Sequence, residues 1–481
     1  MPTNAREIIF DPSSHARFVE VSRDRNPVHV DAVAARRTQA GAPIIHGVHA
    51  LLRLLERLAE SESGLPTATS LKVLFRKPIY PGDRLGFDIV GRSNTSVRAR
   101  LVIEGTEALL AAFGFGIPEV QELSALFGWT ATPIGMPDVP NDGPLKDMLT
   151  RRGCLTVEPF IAASRAMFPI AASCFGAPRI AAFVCISGLV GMIVPGLHSL
   201  LAGLEVVFDN EKAAGESMLR FAVKSVDPRL RLVTIAIHGS GLHGLVDAVS
   251  PPPAVKQPGM GVLKRVMEAH KVMKSTSLIV GGSRGVGELT AKLIASGGGQ
   301  VVITYATGQA DAEGVAAEIR SVGGYCETLA YDIRRRAADQ LALLGPRLVT
   351  HLYYFATPFI FRRKAGLFDL ERFREFNSFY LEGLLDLVKG CLHRQPDEPL
   401  KVFVPSSVAV ESRTAELTEY AMSKAAAEIL CFDLERAFPN VHVLVRRLPR
   451  LLTDQTNSVV QVEIANPIDV LLPIVREMHG S

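Results

Sequence analysis

The sequence predicts two architectures in series: an α+β region built from two tandem copies of a helix wrapped by antiparallel strands, then an α/β doubly wound parallel sheet. Three observations carry this. An amino-terminal and a central segment align in four blocks that keep the same order. Within the first copy an amphipathic helical pattern is followed by strand-like alternation. The carboxy-terminal segment instead alternates near-continuous apolar strands with helices, as strands buried on both faces do.

The chain has 481 residues, 48% hydrophobic and 21% charged, with a formal net charge of +3. That length exceeds one ordinary core and implies several domains. The boundaries read as 1–120, a linker 121–149, 150–250, a second linker 251–276, and 277–481. Pro- and Gly-rich stretches, GMPDVPNDG from Gly135 and SPPPAVKQPGMG from Ser250, mark the linkers, the second followed by a short basic helical pattern around Lys264 to Lys274. The low net charge, without a basic stripe interleaved with aromatics, speaks against nucleic acid. Met1 to Phe10 is polar, and the longest apolar run, Ile180 to Val194, contains Gly and Ser and falls short of the ~20 residues that span a bilayer. No membrane span is expected. Six cysteines without CxxC or Cys/His spacing fit a reducing, cytoplasmic setting and no metal site.

The repeat blocks are specific. FVEVSRDRNPVH (Phe18 to His29) meets FIAASRAMFPIA (Phe160 to Ala171), and GAPIIHGV (Gly41 to Val48) meets GAPRIAAF (Gly176 to Phe183). SLKVLF from Ser70 meets GLEVVF from Gly203, and Gly82-Asp83 meets Gly215-Glu216. In the first copy Val48, Leu51, Leu52, Leu55 and Leu58 recur at helical spacing, before the alternating Leu71, Val73 and Phe75. Two such units could pair their sheets edge to edge.

SRDRNPVH places Asp24 and His29 five positions apart, with Asn26-Pro27 between them. Asn26 suits a helix cap and Pro27 a first turn, so the chain bends sharply there. A carboxylate beside an imidazole holds one water and exchanges protons with it. Downstream, His46-Gly47 opens the apolar helix, where a glycine lets a backbone N–H approach a thioester carbonyl oxygen.

These residues resemble the MaoC-like (R)-specific enoyl-CoA hydratases, hot-dog-fold enzymes with a D-x4-H pair followed by His-Gly. The resemblance implies Asp24 and His29 as the catalytic pair, Gly47 as oxyanion donor, Asn26 and His46 as substrate-positioning groups, and no cofactor. Arg23 stands where the family usually has glycine. In the second copy Asp24, His29, His46 and Gly47 become Ala166, Ala171, Ala181 and Ala182. That copy resembles the degenerate half of a double hot-dog hydratase. His198, beside Pro195-Gly196, reads as structural.

In the third segment Gly281, Gly285 and Gly287 lie between an apolar strand and a helix, where backbone N–H groups approach a pyrophosphate. Tyr420 and Lys424 are one helical turn apart, and Ser407 lies thirteen residues before the tyrosine at a strand end. The ammonium would lower the phenol pKa, the phenol would give a proton to a carbonyl, and Ser407 would hold the same oxygen.

This segment resembles the short-chain dehydrogenase/reductases, among them the beta-ketoacyl-thioester reductases, with a Rossmann-type sheet. The resemblance implies Ser407, Tyr420 and Lys424 as a triad. It implies nucleotide contacts from Gly281, Ser283, Arg284, Gly285, Val286, Gly287, Asp332 and Ala356, and a homodimer through the reductase helices. Arg284, with no acid after Ile303-Thr304-Tyr305, leans toward NADPH. The family's NNAG appears as Tyr354-Phe355-Ala356-Thr357, and its catalytic Asn falls at Tyr380, with Asn377 nearby. Leu448-Pro449-Arg450 replaces the usual Pro-Gly, the lid after Thr453 is short, and the last strand is missing.

Together the resemblances imply a bifunctional enzyme acting on acyl-CoA or acyl-carrier-protein thioesters. It would be a 3-hydroxyacyl dehydratase/enoyl hydratase and an NADPH-dependent 3-oxoacyl reductase sharing an (R)-3-hydroxy intermediate. The alternative is a hydratase whose third segment binds nucleotide or docks without turnover. A third reading takes Arg334-Arg335-Arg336, Arg362-Arg363-Lys364 and Arg446-Arg447 as docking points for an acidic carrier protein, against the plainer reading of solvated helix faces.

Overall fold

The computed structural model describes residues 7–61, 67–118, 123–130, 132–209, 217–268, 270–272, 275–361, 368–457 and 463–480. The chain forms two compact units, one covering Met1–Pro253 and the other Ala254–Asn457 and Gln461–Ser481. Gly215-Glu216 and Arg362-Arg363-Lys364 lie outside the described residues.

The first unit is built on a ten-stranded antiparallel sheet. Its strands are β1 (Glu7–Ile9), β2 (Ser70–Phe75), β3 (Arg84–Arg92), β4 (Ser96–Ile103), β5 (Thr106–Gly114), β6 (Arg152–Thr156), β7 (Leu200–Phe208), β8 (Met218–Asp227), β9 (Leu232–Gly239) and β10 (Leu242–Val249). The order is β1-β3-β4-β5-β2-β7-β10-β9-β8-β6, so each half repeats the other outward from the centre. The halves join through β2 and β7, where Lys72 faces Glu205. These two residues hold the same place in SLKVLF and GLEVVF, and their side chains form an ion pair at 2.9 Å. The expected edge-to-edge pairing is therefore present, with equivalent residues meeting at the seam.

Each half lays one helix against the sheet. The first central helix, Gly47–Ser61, buries Val48, Leu51, Leu52, Leu55 and Leu58, as their spacing requires, and Leu54 besides. The second, Ala177–Gly188, is almost wholly buried and continues as a π-helical turn through Leu189–Ile193. Both helices share one apolar core with both halves of the sheet. No single helix among the described residues is long and apolar enough to cross a membrane; Pro169–Phe175 with Ala177–Ile193, bent by 116°, meets that criterion only as a pair.

The stretch predicted as a first linker is instead a strap on the second half. Leu123 and Phe127 are buried with Ala222 and Ala236. Pro133 bridges Cys154, and Asn141 donates its N–H to Met192 at 2.9 Å while accepting from Leu197 at 2.8 Å. Its apolar anchors are too sparse among Pro and Gly to register as an element.

The second unit holds a six-stranded parallel sheet: β11 (Thr276–Val280), β12 (Gln300–Tyr305), β13 (Cys326–Ala330), β14 (His351–Tyr354), β15 (Leu400–Ser407) and β16 (Val441–Leu448). Its order, β13-β12-β11-β14-β15-β16, reverses direction between β11 and β14. This is the doubly wound arrangement that binds dinucleotides at the reversal. Separate apolar clusters cover the sheet, one with the helices Gly285–Ser296 and Pro467–His479, the other with Leu384–Arg394. β13 is not among the strands expected from the sequence, because CETLA is short and mixed in polarity. The predicted second linker largely belongs to this unit: Met260–Met267 is a helix that buries Met260, Leu263 and Met267 and takes in Lys264, the start of the basic helical pattern, while Lys274 lies outside the described residues.

Gly287 sits where the Gly285–Ser296 helix crosses the turn after β11, and a Cβ there would lie 2.2 Å from the Gly281 carbonyl oxygen. Gly287→Ala is expected to destabilise the second unit by about 1–3 kcal/mol. A lower urea midpoint of that unit's unfolding transition is the readout.

Candidate functional site

In the first unit the helix Pro12–Ser22 ends on Arg23, whose φ of +56° is left-handed. The resemblance puts glycine at this position, and the backbone shows why. The chain then turns through Asp24 into Pro27–Val30, capped by Asn26 as expected. Asn26 is fully buried. Its amide nitrogen donates to the Gly191 and Gly196 carbonyls at 3.0 and 2.8 Å, and its oxygen accepts from the Val28 and His198 N–H groups at 3.3 and 3.2 Å. Every hydrogen-bonding position of Asn26 is thus spent inside the protein. It braces the two halves, and the substrate-positioning part expected of it finds no free side-chain position. His198 contributes its backbone here, a structural part.

Asp24, His29 and His46 converge: one ligand-type atom from each lies within 4.8 Å of the others, and all three side chains are buried. His29 donates Nδ1–H to the Ile44 carbonyl at 2.8 Å, which leaves Nε2 with its lone pair. His46 stacks on His29 with ring centres 3.8 Å apart. Its Nε2 lies 3.1 Å from the Asp24 carbonyl oxygen and 3.7 Å from Asp24 Oδ2. Burial pushes the Asp24 carboxyl up to about 7 against the pull of its hydrogen bonds. Burial also pushes His29 down to about 4 and His46 well below its ordinary value. The imidazoles are therefore neutral, and the carboxyl titrates near neutrality. The spacing is within a metal ion's reach. Yet His46 spends Nε2 on the Asp24 backbone, and its buried Nδ1 has no partner to take the displaced proton. The trio is arranged for proton exchange.

Two residues that hold this carboxyl were not recognised from the sequence. Ser187 donates its hydroxyl to Asp24 Oδ2 at 2.8 Å. At Gly191 a Cβ would lie 2.0 Å from Asp24 Oδ1, so only glycine leaves room. Both come from the second half. The signal was a serine and a mid-helix glycine inside the apolar run Ile180 to Val194, where each carries a cost. His15 was also missed; its Nε2 lies 2.9 Å from the His29 carbonyl oxygen. Gly47 begins the first central helix, where amides lack intrahelical acceptors, and the Phe75 ring lies 3.0 Å from where its Cβ would be.

In the second unit Gly281 and Gly285 have φ of +83° and +60°, so the turn after β11 needs both. With Gly285 starting the helix and Gly287 packed under it, the turn fits a dinucleotide pyrophosphate. Ser283 is buried in the turn, Val286 lies in the helix's first turn, and the Ala356 amide borders Gly281. Arg284 pairs with buried Asp454 at 3.4 Å. Asp332 is held by Arg334 through two bonds of 2.9 Å, which compete with any adenine contact.

Ser407, at the end of β15, lies near enough to the Tyr420 phenol to lower its pKa. Burial pushes that phenol up, and the serine pulls it down by less. Lys424 Nζ donates to the Pro405 carbonyl at 2.7 Å and lies 5.9 Å from the Tyr420 ring centre, so the expected ammonium stands beside the ring while its hydrogen bond goes to the backbone. One helical turn of spacing puts the ammonium near the ring but leaves its partner open. Tyr380, where the family Asn was expected, faces the triad, with Lys424 Nζ 3.9 Å from its ring centre; Asn377 keeps a buried, unpartnered Oδ1. Arg446 and Arg447 are engaged by Glu477, Glu411 and Glu428, which weakens the docking reading of that pair.

Residues 2–111 match the family model described as MaoC like domain. The amino-terminal segment is a MaoC-like domain. The match ends before Ser187 and Gly191, so part of the Asp24 surroundings comes from beyond it. Curated proteins give no match. Among solved structures, an alcohol dehydrogenase from Thermococcus sibiricus is 19% identical with TM-score 0.38, covering 43% of this chain and 90% of its own. A 3-oxoacyl-(acyl-carrier-protein) reductase from Agrobacterium tumefaciens is 21% identical with TM-score 0.35, covering 38% and 73%. A Serratia marcescens short-chain dehydrogenase/reductase is 18% identical with TM-score 0.39, covering 44% and 93%.

Two outcomes follow for the MaoC-like domain's carboxyl. Gly191→Ala is expected to displace Asp24 and lower turnover at its site at least tenfold with circular dichroism unchanged. The second outcome concerns stability. The unfolded chain releases the Asp24 proton above about pH 4, whereas the folded chain keeps it to about 7. Folding stability from this group is therefore lost as pH rises between those values. Asp24→Asn removes the penalty and is expected to gain about 2–4 kcal/mol above neutrality and little at pH ~4, measured by urea unfolding at both.

Proposed function

We propose that this chain is a bifunctional acyl-thioester enzyme. Its first unit adds water to, or removes it from, the C2–C3 bond of an enoyl or (R)-3-hydroxyacyl thioester. Its second unit reduces the matching 3-oxoacyl thioester with NADPH. The repeated half-sheets, each with one central helix, support reading the first unit as a double hot-dog with a single working half. The observation that carries the proposal is the meeting of Asp24, His29 and His46 around one point, with Ser187 fixing the carboxyl.

The chemistry follows from these atoms. A water between Asp24 and His29 Nε2 loses a proton to the basic partner as its oxygen bonds to C3, and the acidic partner delivers a proton to C2; dehydration reverses this. A carboxyl titrating near 7 serves in both directions. The Gly47 N–H, at a helix amino terminus, would stabilise charge on the thioester oxygen. In the second unit the glycine turn would hold NADPH, which supplies hydride when bound. Tyr420 gives its phenolic proton to the substrate oxygen, and Ser407 holds that oxygen.

A second reading keeps the hydratase and makes the other unit a nucleotide-binding module without turnover. It draws on the raised Tyr420 phenol and on Lys424 facing Pro405.

Crotonyl-CoA absorbance is expected to fall with the wild-type chain and to persist with Asp24→Asn, a loss of about 10³-fold or more. NADPH oxidation with acetoacetyl-CoA is expected in the wild type and absent in Tyr420→Phe. Quenching of NADPH fluorescence on binding, without oxidation, would select the second reading.

A further inference from the structure

Lys424 lies in an enclosure that the triad alone does not explain. Among the described residues no carboxylate stands within ion-pair distance of its Nζ. One N–H goes to the Pro405 carbonyl at 2.7 Å, and the ammonium lies 3.9 Å from the Tyr380 ring centre. Tyr380 belongs to a π-helical turn, Ser378–Gly383, and is fully buried. Its hydroxyl meets Thr357 Oγ1 at 2.5 Å, and Thr357 spends its own proton on the Pro358 carbonyl at 3.0 Å, so the phenol donates. Phe376 stacks on Tyr380 with centres 5.8 Å apart, and the Tyr420 ring stands edge-on at 6.0 Å. Tyr380 is thus fixed at both ends, with its face toward the lysine.

Resting on the reductase reading above, we propose that Tyr380 is a positioning residue of that site: its π face holds the Lys424 ammonium beside Tyr420 in place of a charged or hydrated partner. A ring face attracts a cation most strongly where water is excluded. The other groups facing Lys424 are Glu428, Cys431 and Tyr420 on its own helix and Pro405 from β15, while Glu375 acts on Tyr380. Glu428 is itself bound by Arg447 at 2.6 Å, which leaves the Pro405 carbonyl and the aromatic face as the near stabilisers. Burial pushes Lys424 down to about 7, so the ammonium is present below that pH and lost above it. Removing the ring face withdraws support from the charged form, and the amine loses its proton at lower pH.

The test is the pH profile of kcat for NADPH oxidation by the full chain with acetoacetyl-CoA. Tyr380→Phe, which keeps the ring, is expected to stay within about twofold of wild type with its alkaline limb in place. Tyr380→Leu is expected to lose about tenfold in kcat and to move that limb about one pH unit lower, with NADPH binding retained. Should leucine fail to fold, as judged by circular dichroism, methionine carries the same expectation. An unshifted limb in a folded leucine or methionine variant overturns the role of Tyr380 and leaves the reductase reading standing. A wild-type chain that binds NADPH but oxidises none overturns both.

Discussion

The chemistry proposed for the first unit depends on keeping one carboxyl out of water. Asp24 comes from the amino-terminal half, but the Ser187 hydroxyl and the space at Gly191 come from the other. Asn26, two residues on, is tied to the Gly191 and Gly196 carbonyls of that same half. Alone, the first half would expose Asp24 to solvent, and its pKa would return toward the ordinary carboxylate value. Such a group is ionised at neutral pH and a poor proton donor. The second half carries alanines where the first has its titratable groups, yet it shapes the surroundings of Asp24.

The asymmetry between the halves can be followed at one position. The block that pairs Gly41 with Gly176 extends to pair Glu56 with Gly191. On the working side the position is glycine, and a carboxyl from the facing half enters the space. On the other side Glu56 fills it and accepts the Ala171 N–H at 2.9 Å, Ala171 being the counterpart of His29. Burial raises the Glu56 pKa as well. A duplicated scaffold thus puts a carboxyl at both symmetry-related places. One faces two imidazoles; the other closes on backbone and faces none.

What could be read from the sequence divides along physical lines. Duplication and the seam were legible because Lys72 and Glu205 sit in aligned blocks of strand-like alternation, and alternation is a local property. Asp24, His29 and His46 were legible because a bend and a helix start bring near neighbours together. Ser187 and Gly191 act on Asp24 from more than 160 residues away. Their only local trace was a polar and a flexible residue where an apolar helix had no use for them. β13 escaped because CETLA lacks the continuous apolar character of the inner strands. The partner of Lys424 escaped because spacing along a helix fixes a neighbour's distance but not which of several acceptors the ammonium takes.

Both sites also lie against a local break in helix geometry. The second central helix passes into a π turn at Leu189–Ile193, and the helix bearing Phe376 does so at Ser378–Gly383. Such a turn inserts a residue into the i→i−4 pattern and rotates everything beyond it. In the first unit the turn contains Gly191, whose carbonyl receives Asn26 and whose missing side chain admits Asp24. In the second it contains Tyr380, facing Lys424. A regular helix would present these residues at other angles. The energetic cost of the weaker hydrogen bonding is borne where a side chain must be aimed, and propensity scales, which average over regular helices, do not register it.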